Sequence, residues 1–261
     1  MKLRSESRTV AASETPIAFM LPATYAITVS NASSPLFRLP QELKDRIYHF
    51  VYGGLHIHVE NDYNSDHSRI RLAVCKFTKQ HNINDCAEEK GLHVASLVTC
   101  RQMYHEARSV LYSANSFIIS SPRLVDSFIR RLNDTSYDRL AVRSIRLHVY
   151  VHVRNDEREW DNTFRFLTQN LKNLRYISID VDVCPWEYFS PMTRQHNPTY
   201  AKRLFLRDLV EFKKLPLKKV ELVLEGSDIL VGRAREDKYI WTNARKQEWV
   251  QSMKSKMLGS G

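Results

Sequence analysis

Histidines and cysteines between residues 56 and 93 form the most metal-like grouping in the sequence. His56 and His58 alternate along a strand-like segment, so their side chains would lie on one face of the strand, as the ligands of a metal ion can. Cys75 and Cys86 follow them along the chain. No C-x-x-C or H-x-x-x-H spacing accompanies these four residues, and zinc sites usually carry such pairs. We therefore predict no metal site, keep the four residues as candidates, and take ordinary core or surface histidines as the alternative.

Motifs for nucleotide binding or nucleophilic catalysis are absent from the sequence. The chain has only 7 glycines, and neither a G-x-G-x-x-G loop, a phosphate-binding P-loop nor a G-x-S-x-G elbow occurs. Acids and histidines are present, but no spacing singles out an acid–base pair. The sequence therefore predicts a protein that is not an enzyme and that needs no cofactor.

The chain is basic, with a formal net charge of +10, and a dense excess of positive charge lies between residues 194 and 219. Aromatic residues precede it, and positive charge beside stacking groups suits single-stranded nucleic acid. No nucleic-acid-binding fold signature accompanies this region, and the same residues would suit an acidic protein. Solvated helix faces are the third interpretation. The candidate substrate or nucleic-acid surface consists of Trp186, Tyr188, Phe189, Arg194, Lys202, Arg203 and Arg207.

The elements that would position these residues alternate between helix and strand from residue 94 onward. Helices are predicted at 94–112, from Ser121-Pro122 onward, around Trp160, at 199–213 and at 236–257, with a strand after each of the first four. Such alternation predicts an α/β fold with a mainly parallel sheet. Three strand cores share one form, namely "IRLHV", "ISIDV" and "VELVL". The region therefore resembles an irregular stack of leucine-rich repeats capped by its first and last helices, with an ordinary α/β domain as the alternative.

The segment before residue 94 predicts one helix and a pair of strands. Leu43, Ile47 and Val51 recur at four-residue steps over 39–52, which is the pattern of an amphipathic helix. Pro40 suits the first turn of that helix, and the glycines after Tyr52 end it. The stretches "LHIHVE" and "RIRLAVCKF" alternate with period two and predict two strands that pair.

Two quoted stretches together carry a family resemblance. "LPQELKDRIYHFVY" followed by "LVTCRQMYHEARSVLY" resembles an F-box that is split by an insertion. The second stretch, extended to "TCRQMYHEARSVLYSANSF", is also similar to a group of filamentous-fungal F-box-like proteins of unknown function. The matching positions of the first stretch are Leu39, Pro40, Glu42, Leu43 and Ile47. Those of the second are Leu97, Val98, Cys100, Arg101, Tyr104, Ala107, Leu111 and Tyr112.

The resemblance implies a role in protein degradation. F-box proteins bind the Skp adaptor of a cullin–RING ubiquitin ligase through a small helical unit, and their downstream domain holds the substrate. The residues that would meet the adaptor here are Leu39, Pro40, Leu43, Ile47, Leu97 and Val98. The insertion departs from the family pattern, because it would either fold beside the helices or block the adaptor. The alternative is that these apolar residues pack in the core of the chain itself.

The predicted organisation is a flexible leader at 1–33, an F-box-like unit at 34–120 with a β insertion at about 53–92, a repeat-like domain at 121–258 and a tail at 259–261. The 4 cysteines are irregularly spaced, which indicates reduced thiols in the cytoplasm or nucleus. The sequence contains no run of about 18 apolar residues, so we predict no membrane span. The predicted function is a non-enzymatic substrate receptor of a ubiquitin ligase. A scaffold protein without a ligase role and a nucleic-acid-binding protein are the alternatives.

Overall fold

A computed structural model gives the fold of the chain. The residues that it describes are 34–61, 70–75, 90–91, 97, 100–132, 136–151, 154–183, 206–225 and 243–259. The chain divides into two compact units, residues 1–44 and residues 45–261.

The described residues of the first unit form a short helix and the beginning of a longer one. Helix α1 covers Pro35–Arg38. Helix α2 covers Gln41–Tyr52, so it starts in this unit and ends in the second. The main-chain carbonyl of Pro40 accepts hydrogen bonds from the N–H groups of Leu43 (3.1 Å) and Lys44 (3.2 Å). Pro40 therefore opens the helix, as its sequence predicts, at a place where a missing N–H group is harmless.

The second unit contains the sheet and the helices that pack on it. Its strands are β1 (His56–Asn61), β2 (Ile70–Cys75), β3 (Lys90–Gly91), β4 (Ser116–Ile119), β5 (Ser144–Val151), β6 (Tyr176–Val183) and β7 (Lys219–Glu225). Its helices are α3 (Arg101–Ser113), α4 (Pro122–Arg131), α5 (Ser136–Ala141), α6 (Arg154–Asn170), a 3₁₀ helix (Arg207–Lys214) and α7 (Asn243–Leu258).

The strands form one sheet in the order β3-β2-β1-β4-β5-β6-β7. Strand β2 pairs antiparallel with both β1 and β3, which confirms the predicted strand pair. The strands β1, β4, β5, β6 and β7 run parallel to one another. The predicted α/β class with a mainly parallel sheet is therefore confirmed.

All helical connections of the parallel part lie on one face of the sheet. From β4 to β7 each strand is placed beside the preceding one in the same direction, and right-handed crossovers then put every connecting helix on the same side. Accordingly α4 packs on α6, α6 on the 3₁₀ helix and the 3₁₀ helix on α7. Strand β5 shows the result, because Ile145 and Leu147 are buried while Arg146 and His148 keep partial exposure. The parallel sheet thus has one apolar covered face and one polar face.

Aromatic rings fill the space between the sheet and the helices. Phe117 of β4 lies 4.9 Å from Phe128 of α4, measured between ring centroids. Trp160 and Phe164 of α6 stack at 5.8 Å, and Phe164 lies 5.9 Å from Phe212 of the 3₁₀ helix. Helix α7 packs on β7 and the 3₁₀ helix, which is the position predicted for a terminal cap.

The helix predicted at 94–112 is interrupted at Cys100, since Leu97 is helical but Cys100 is not. Cys100 is extended (φ −132°, ψ 112°) and forms the N-cap of α3, which begins at Arg101. The Sγ atom of Cys100 accepts a hydrogen bond from the N–H of Met103 at 3.4 Å. The apolar spacing continues through Cys100, but a residue in extended conformation cannot lie inside a helix.

The helix predicted at 199–213 also differs in its described part. Residues 207–214 form a 3₁₀ helix rather than an α-helix. Leu206, directly before it, is buried and has a left-handed backbone with φ of 47°. An α-helix does not continue through a left-handed leucine, so the regular helical spacing in the sequence is misleading here.

Asn115 joins three elements at the corner before β4. Its side-chain nitrogen donates to the carbonyls of Tyr52 (2.6 Å) and Leu111 (2.7 Å), which lie in the last turns of α2 and α3. Its side-chain oxygen accepts from the N–H of Leu55 at 2.8 Å, just before β1. The residue is 2% exposed. One amide therefore satisfies the ends of two helices and the entry to a strand.

Gly53 and Gly54 complete the corner at the end of α2. A Cβ atom at Gly53 would lie 2.6 Å from the main-chain oxygen of His49, which is closer than real contacts allow. Gly54 has φ of 73° and donates its N–H to the carbonyl of Ala114 at 3.0 Å. The two glycines thus end α2, as predicted, because only residues without a side chain fit this turn.

Replacing Asn115 by alanine should lower the free energy of unfolding by about 2–4 kcal/mol, because three main-chain groups lose their hydrogen-bond partner in a buried place. The Asn115→Asp variant should be destabilised at least as much, since it loses both donors. Urea denaturation followed by circular dichroism measures the change, with Ser113→Ala as an exposed neighbouring control. A loss below about 1 kcal/mol for Asn115→Ala would refute this role of the amide.

Candidate functional site

Helix α2 has a buried side and an exposed apolar side within the second unit. Tyr48 and Tyr52 are 1% and 4% exposed. Ile47, Phe50 and Val51 are 37%, 90% and 52% exposed. Phe50 and Val51 follow Ile47 by three and four positions, so the three side chains lie on one side of the helix. We call this apolar patch the outer face of α2. An apolar face of this kind is suited to a partner groove.

Two tyrosines hold the inner side of α2 against α3. The hydroxyl of Tyr48 donates to the carboxylate of Glu106 at 2.9 Å. The hydroxyl of Tyr52 points to the sulfur of Met103 at 3.7 Å. Burial raises the pKa of Tyr48, and the hydrogen bond to Glu106 raises it further. These contacts fix the rotation of the helix, so Ile47, Phe50 and Val51 stay on its outer face.

The residues predicted to meet an adaptor have different environments. In the first unit, Leu43 is 44% exposed, Pro40 is exposed and Leu39 is half-buried. In the second unit, Ile47 lies on the outer face of α2, whereas Leu97 is only 5% exposed and belongs to the core. Val98 lies outside the described residues. The alternative of packing in the chain's own core therefore applies to Leu97 and not to Leu43 or Ile47.

The residues of the motif "TCRQMYHEARSVLYSANSF" mostly build the fold itself. Ala107 and Leu111 are buried on the inner side of α3. Tyr112 stacks on Phe117 with ring centroids 5.9 Å apart, and burial raises its pKa to about 12. Arg108 forms an ion pair with Asp138 of α5 at 3.4 Å. The motif thus joins α2, α3 and β4.

The polar face of the parallel sheet is the second candidate surface. On it, the guanidinium of Arg146 makes two contacts of 2.8 Å with Oδ2 of Asp180 on the adjacent strand. The Nδ1 atom of His148 lies 3.5 Å from the same oxygen. Lys219 contacts Glu221 at 2.6 Å and holds the pKa of that carboxyl below its ordinary value. These pairs fix a pattern of charge across β5, β6 and β7.

The carboxyl end of this face is acidic and contains an aromatic ring. Tyr150, Asp182 and Glu225 are in register on three adjacent strands. Burial raises the pKa of Tyr150, and the charges of Asp182 and Glu225 raise it further. A cavity of about 200 Å³ beside Tyr150 is lined in part by Asp156 and Glu159 at the start of α6. Ligands of α/β sheets commonly bind at this end of the strands.

Most of the predicted substrate surface lies outside the described residues, namely Trp186, Tyr188, Phe189, Arg194, Lys202 and Arg203. Arg207 is described and is exposed, but it belongs to a charged cluster that joins α6 to the 3₁₀ helix. Its Nε atom lies 4.0 Å from Asp161 and 3.8 Å from Asp208. Arg165 of α6 pairs with Asp208 at 2.6 Å. Arg207 therefore lies beside two carboxylates of its own chain, which its charge alone does not predict.

The metal candidates are only partly brought together. His56 and Cys75 face each other across β1 and β2, and His58 pairs with Ala73 in the same register. His58 is 6% exposed. Cys86 lies outside the described residues. Within the described stretches, no three His, Cys, Asp or Glu side chains are arranged to hold a metal ion.

A comparison with protein families gives one match. Residues 29–195, more than half of the chain, match the family described as "Domain of unknown function (DUF7730)". The chain belongs to this family. Searches of curated proteins and of solved structures give no significant match. The DUF7730 match covers α2 and the sheet as far as β6, and leaves β7 and α7 outside it.

Some residues of the candidate surfaces in this DUF7730 protein are missed by sequence reasoning. Phe50 lies beside the predicted stripe of Leu43, Ile47 and Val51, but neither Phe50 nor Val51 is among the residues predicted to meet the adaptor. The polar face of the sheet was also not predicted as a site. Its signal was present, because Arg146 and Asp180 occupy the polar alternate positions of the "IRLHV" and "ISIDV" cores.

No helix in the described part of the DUF7730 chain has the length and apolar character needed to cross a membrane.

Asp161 should make stability depend on pH. Burial raises its pKa to about 6 from 3.8. The native state therefore binds the proton more tightly than the unfolded chain, so the contribution of Asp161 to stability falls as pH rises from about 4 to 6. Asparagine retains an oxygen to accept the Asp208 N–H, which Asp161 binds at 3.1 Å, and it cannot ionise.

Asp161→Asn should therefore gain about 1.4 kcal/mol relative to the wild type between pH 5 and pH 7.5. Urea denaturation at the two pH values measures this gain. The exposed Asp182→Asn variant is the matched control. Equal pH dependence in wild type and Asp161→Asn would contradict the argument.

Proposed function

We propose that this DUF7730 protein is a non-enzymatic interaction module that acts as an F-box-like substrate receptor of a cullin–RING ubiquitin ligase. The observation that supports the proposal is the outer face of α2, where Ile47, Phe50 and Val51 are exposed on a helix whose other side is fixed by tyrosines. The resemblance of "LPQELKDRIYHFVY" to the start of an F-box lies in the same segment.

In this proposal the outer face of α2 docks into an apolar groove of the Skp-type adaptor. A helix that enters such a groove contributes side chains at steps of three and four residues, and Ile47, Phe50 and Val51 have that spacing. Phe50 has the largest exposed apolar side chain of the three, and aromatic side chains buried in a partner's pocket often dominate binding. Leu39, Pro40 and Leu43 of the first unit stay predicted contacts. We leave Leu97 out because it is buried.

The polar face of the sheet is the proposed substrate surface. It presents fixed charges in a defined pattern, among them the pair of Arg146 and Asp180. Charged and polar groups of this kind select a partner by complementarity rather than by apolar area. Trp186, Tyr188 and Phe189 follow β6 along the chain and stay predicted substrate contacts.

A scaffold protein that keeps the F-box-like helices without a ligase role is the alternative. It would use the same outer face for a different partner. A nucleic-acid-binding protein that uses the basic 194–219 region is the other alternative. For all three functions we propose the cytoplasm or the nucleus as the location.

The test is co-purification of the full chain with the host Skp-type adaptor. Ile47→Gln/Phe50→Gln/Val51→Gln should abolish a one-to-one complex that the wild type forms, because it removes the apolar contact while keeping residues that favour helix. Its melting temperature should stay within about 4 °C of the wild type, since these side chains are exposed. The Leu39→Ala/Pro40→Ala variant tests the first unit separately.

The matched control is Leu140→Gln/Val223→Gln, which makes the same kind of change at two apolar residues with 47% and 44% exposure elsewhere. It should leave the complex intact. If the triple variant still binds the adaptor, the outer face of α2 is not the docking site. If the wild type forms no complex, the ligase role is refuted and the scaffold alternative leads.

A further inference from the structure

We infer that the amino-terminal edge of the parallel sheet binds the phosphate backbone of a single-stranded nucleic acid. The inference stands without the proposed ligase role, and it assigns a ligand to residues outside the surface proposed for the adaptor. The residues that carry it are five basic side chains in the connections that lead into β5, β6 and β7. We call them the basic ridge, and they are Arg143, Lys172, Arg175, Lys213 and Lys218.

Main-chain hydrogen bonds place the ridge residues side by side. The N–H of Arg175 donates to the carbonyl of Arg143 at 2.8 Å, and the N–H of Lys218 donates to the carbonyl of Arg175 at 2.7 Å. Each of these residues stands at the start of a strand, and neighbouring strands are about 4.8 Å apart. The three bases therefore form a row of about 10 Å across the sheet edge. Lys172 and Lys213 precede this row in the same two connections.

The two arginines repeat the same arrangement. Arg143 donates through Nη1 to the carbonyl of Asn173 at 3.4 Å, and Arg175 donates through Nη1 to the carbonyl of Pro216 at 3.3 Å. Each guanidinium thus lies along the edge toward the next connection. A guanidinium has five N–H donors, so one such bond orients the group and leaves further donors for a phosphate.

The ridge is not neutralised by acids within the described part of the chain. The hydrogen bonds that its side chains make there go to main-chain carbonyls, Lys172 to that of Thr168 at 2.9 Å. The neighbouring lysines differ in this respect, since Lys214 pairs with Glu211 and Lys219 with Glu221. Lys172, Lys213 and Lys218 are exposed. A row of exposed positive charge without acids attracts a polyanion.

An exposed aromatic ring favours nucleic acid over an acidic protein segment. Tyr176 follows Arg175 directly, is 44% exposed and pairs in register with Lys219. Proteins that bind single strands combine a basic track along the backbone with aromatic side chains on which bases stack. An acidic peptide would use the charges but would have no need of the ring.

Fluorescence anisotropy with a labelled 20-nucleotide single-stranded RNA of mixed sequence tests the inference. Lys213→Gln/Lys218→Gln should weaken binding about tenfold at 100 mM salt, and the slope of log K against log salt should become less steep by about 1.4. Neither lysine side chain has a bond to another described element, so these changes leave the fold intact. Tyr176→Leu should weaken RNA binding severalfold and keep the salt slope of the wild type.

The matched control is Arg123→Gln/Arg158→Gln, which removes two exposed charges near the starts of α4 and α6, at the carboxyl ends of the strands and so away from the ridge. It should bind like the wild type. Equal loss in the control and the ridge variant would mean attraction by net charge alone and would overturn the inference. A polyglutamate of equal length that displaces the RNA with the same affinity, with no effect of Tyr176→Leu, would overturn it in favour of an acidic protein partner.

Discussion

The direction in which the chain builds its sheet is the constraint on which the remaining structure depends. From β4 to β7 each new parallel strand is added to the same side, and right-handed connections keep all the helices on one face. The apolar residues, which alternate along each strand, then pack under the helices, while the polar residues between them stay on the uncovered face. The same order aligns all strand starts at one edge and all strand ends at the other. The basic ridge, the polar face and the acidic carboxyl end therefore all follow from right-handed connections between strands that are added on one side.

The corner around Asn115 links this sheet to helix α2. Its amide bonds the carbonyls of Tyr52 and Leu111 and the N–H of Leu55, so the ends of α2 and α3 and the start of β1 share one side chain. Tyr48 adds the contact with Glu106 of α3. With the helix held at its end and on one side, its outer face is rigid and apolar. A rigid face binds a partner with less loss of conformational entropy than a flexible one.

Much of the fold was predictable because local patterns and tertiary structure agree. The proline before α2, the glycines after it and the Ser121 cap of α4, whose oxygen accepts the N–H of Leu124 at 3.3 Å, are local features that the sequence states directly. The predictions failed where a single residue broke a regular pattern. Cys100 and Leu206 both continue an apolar helical spacing, yet the first is extended and the second left-handed. The spacing of apolar residues indicates which side chains share a face, but it does not determine the backbone conformation of each residue.

The sequence by itself determined the α/β class, the position of most helices and strands, and the amphipathic character of α2. Only the tertiary structure decided which side of α2 is buried, because the sequence offers both a tyrosine side and an aliphatic side. The contacts of Tyr48 and Tyr52 with α3 bury the tyrosine side and leave Ile47 exposed. Likewise, Arg143, Arg175 and Lys218 are far apart in sequence, and only strand order makes them neighbours. Local patterns fix elements, whereas surfaces arise from the pairing of elements that are distant along the chain.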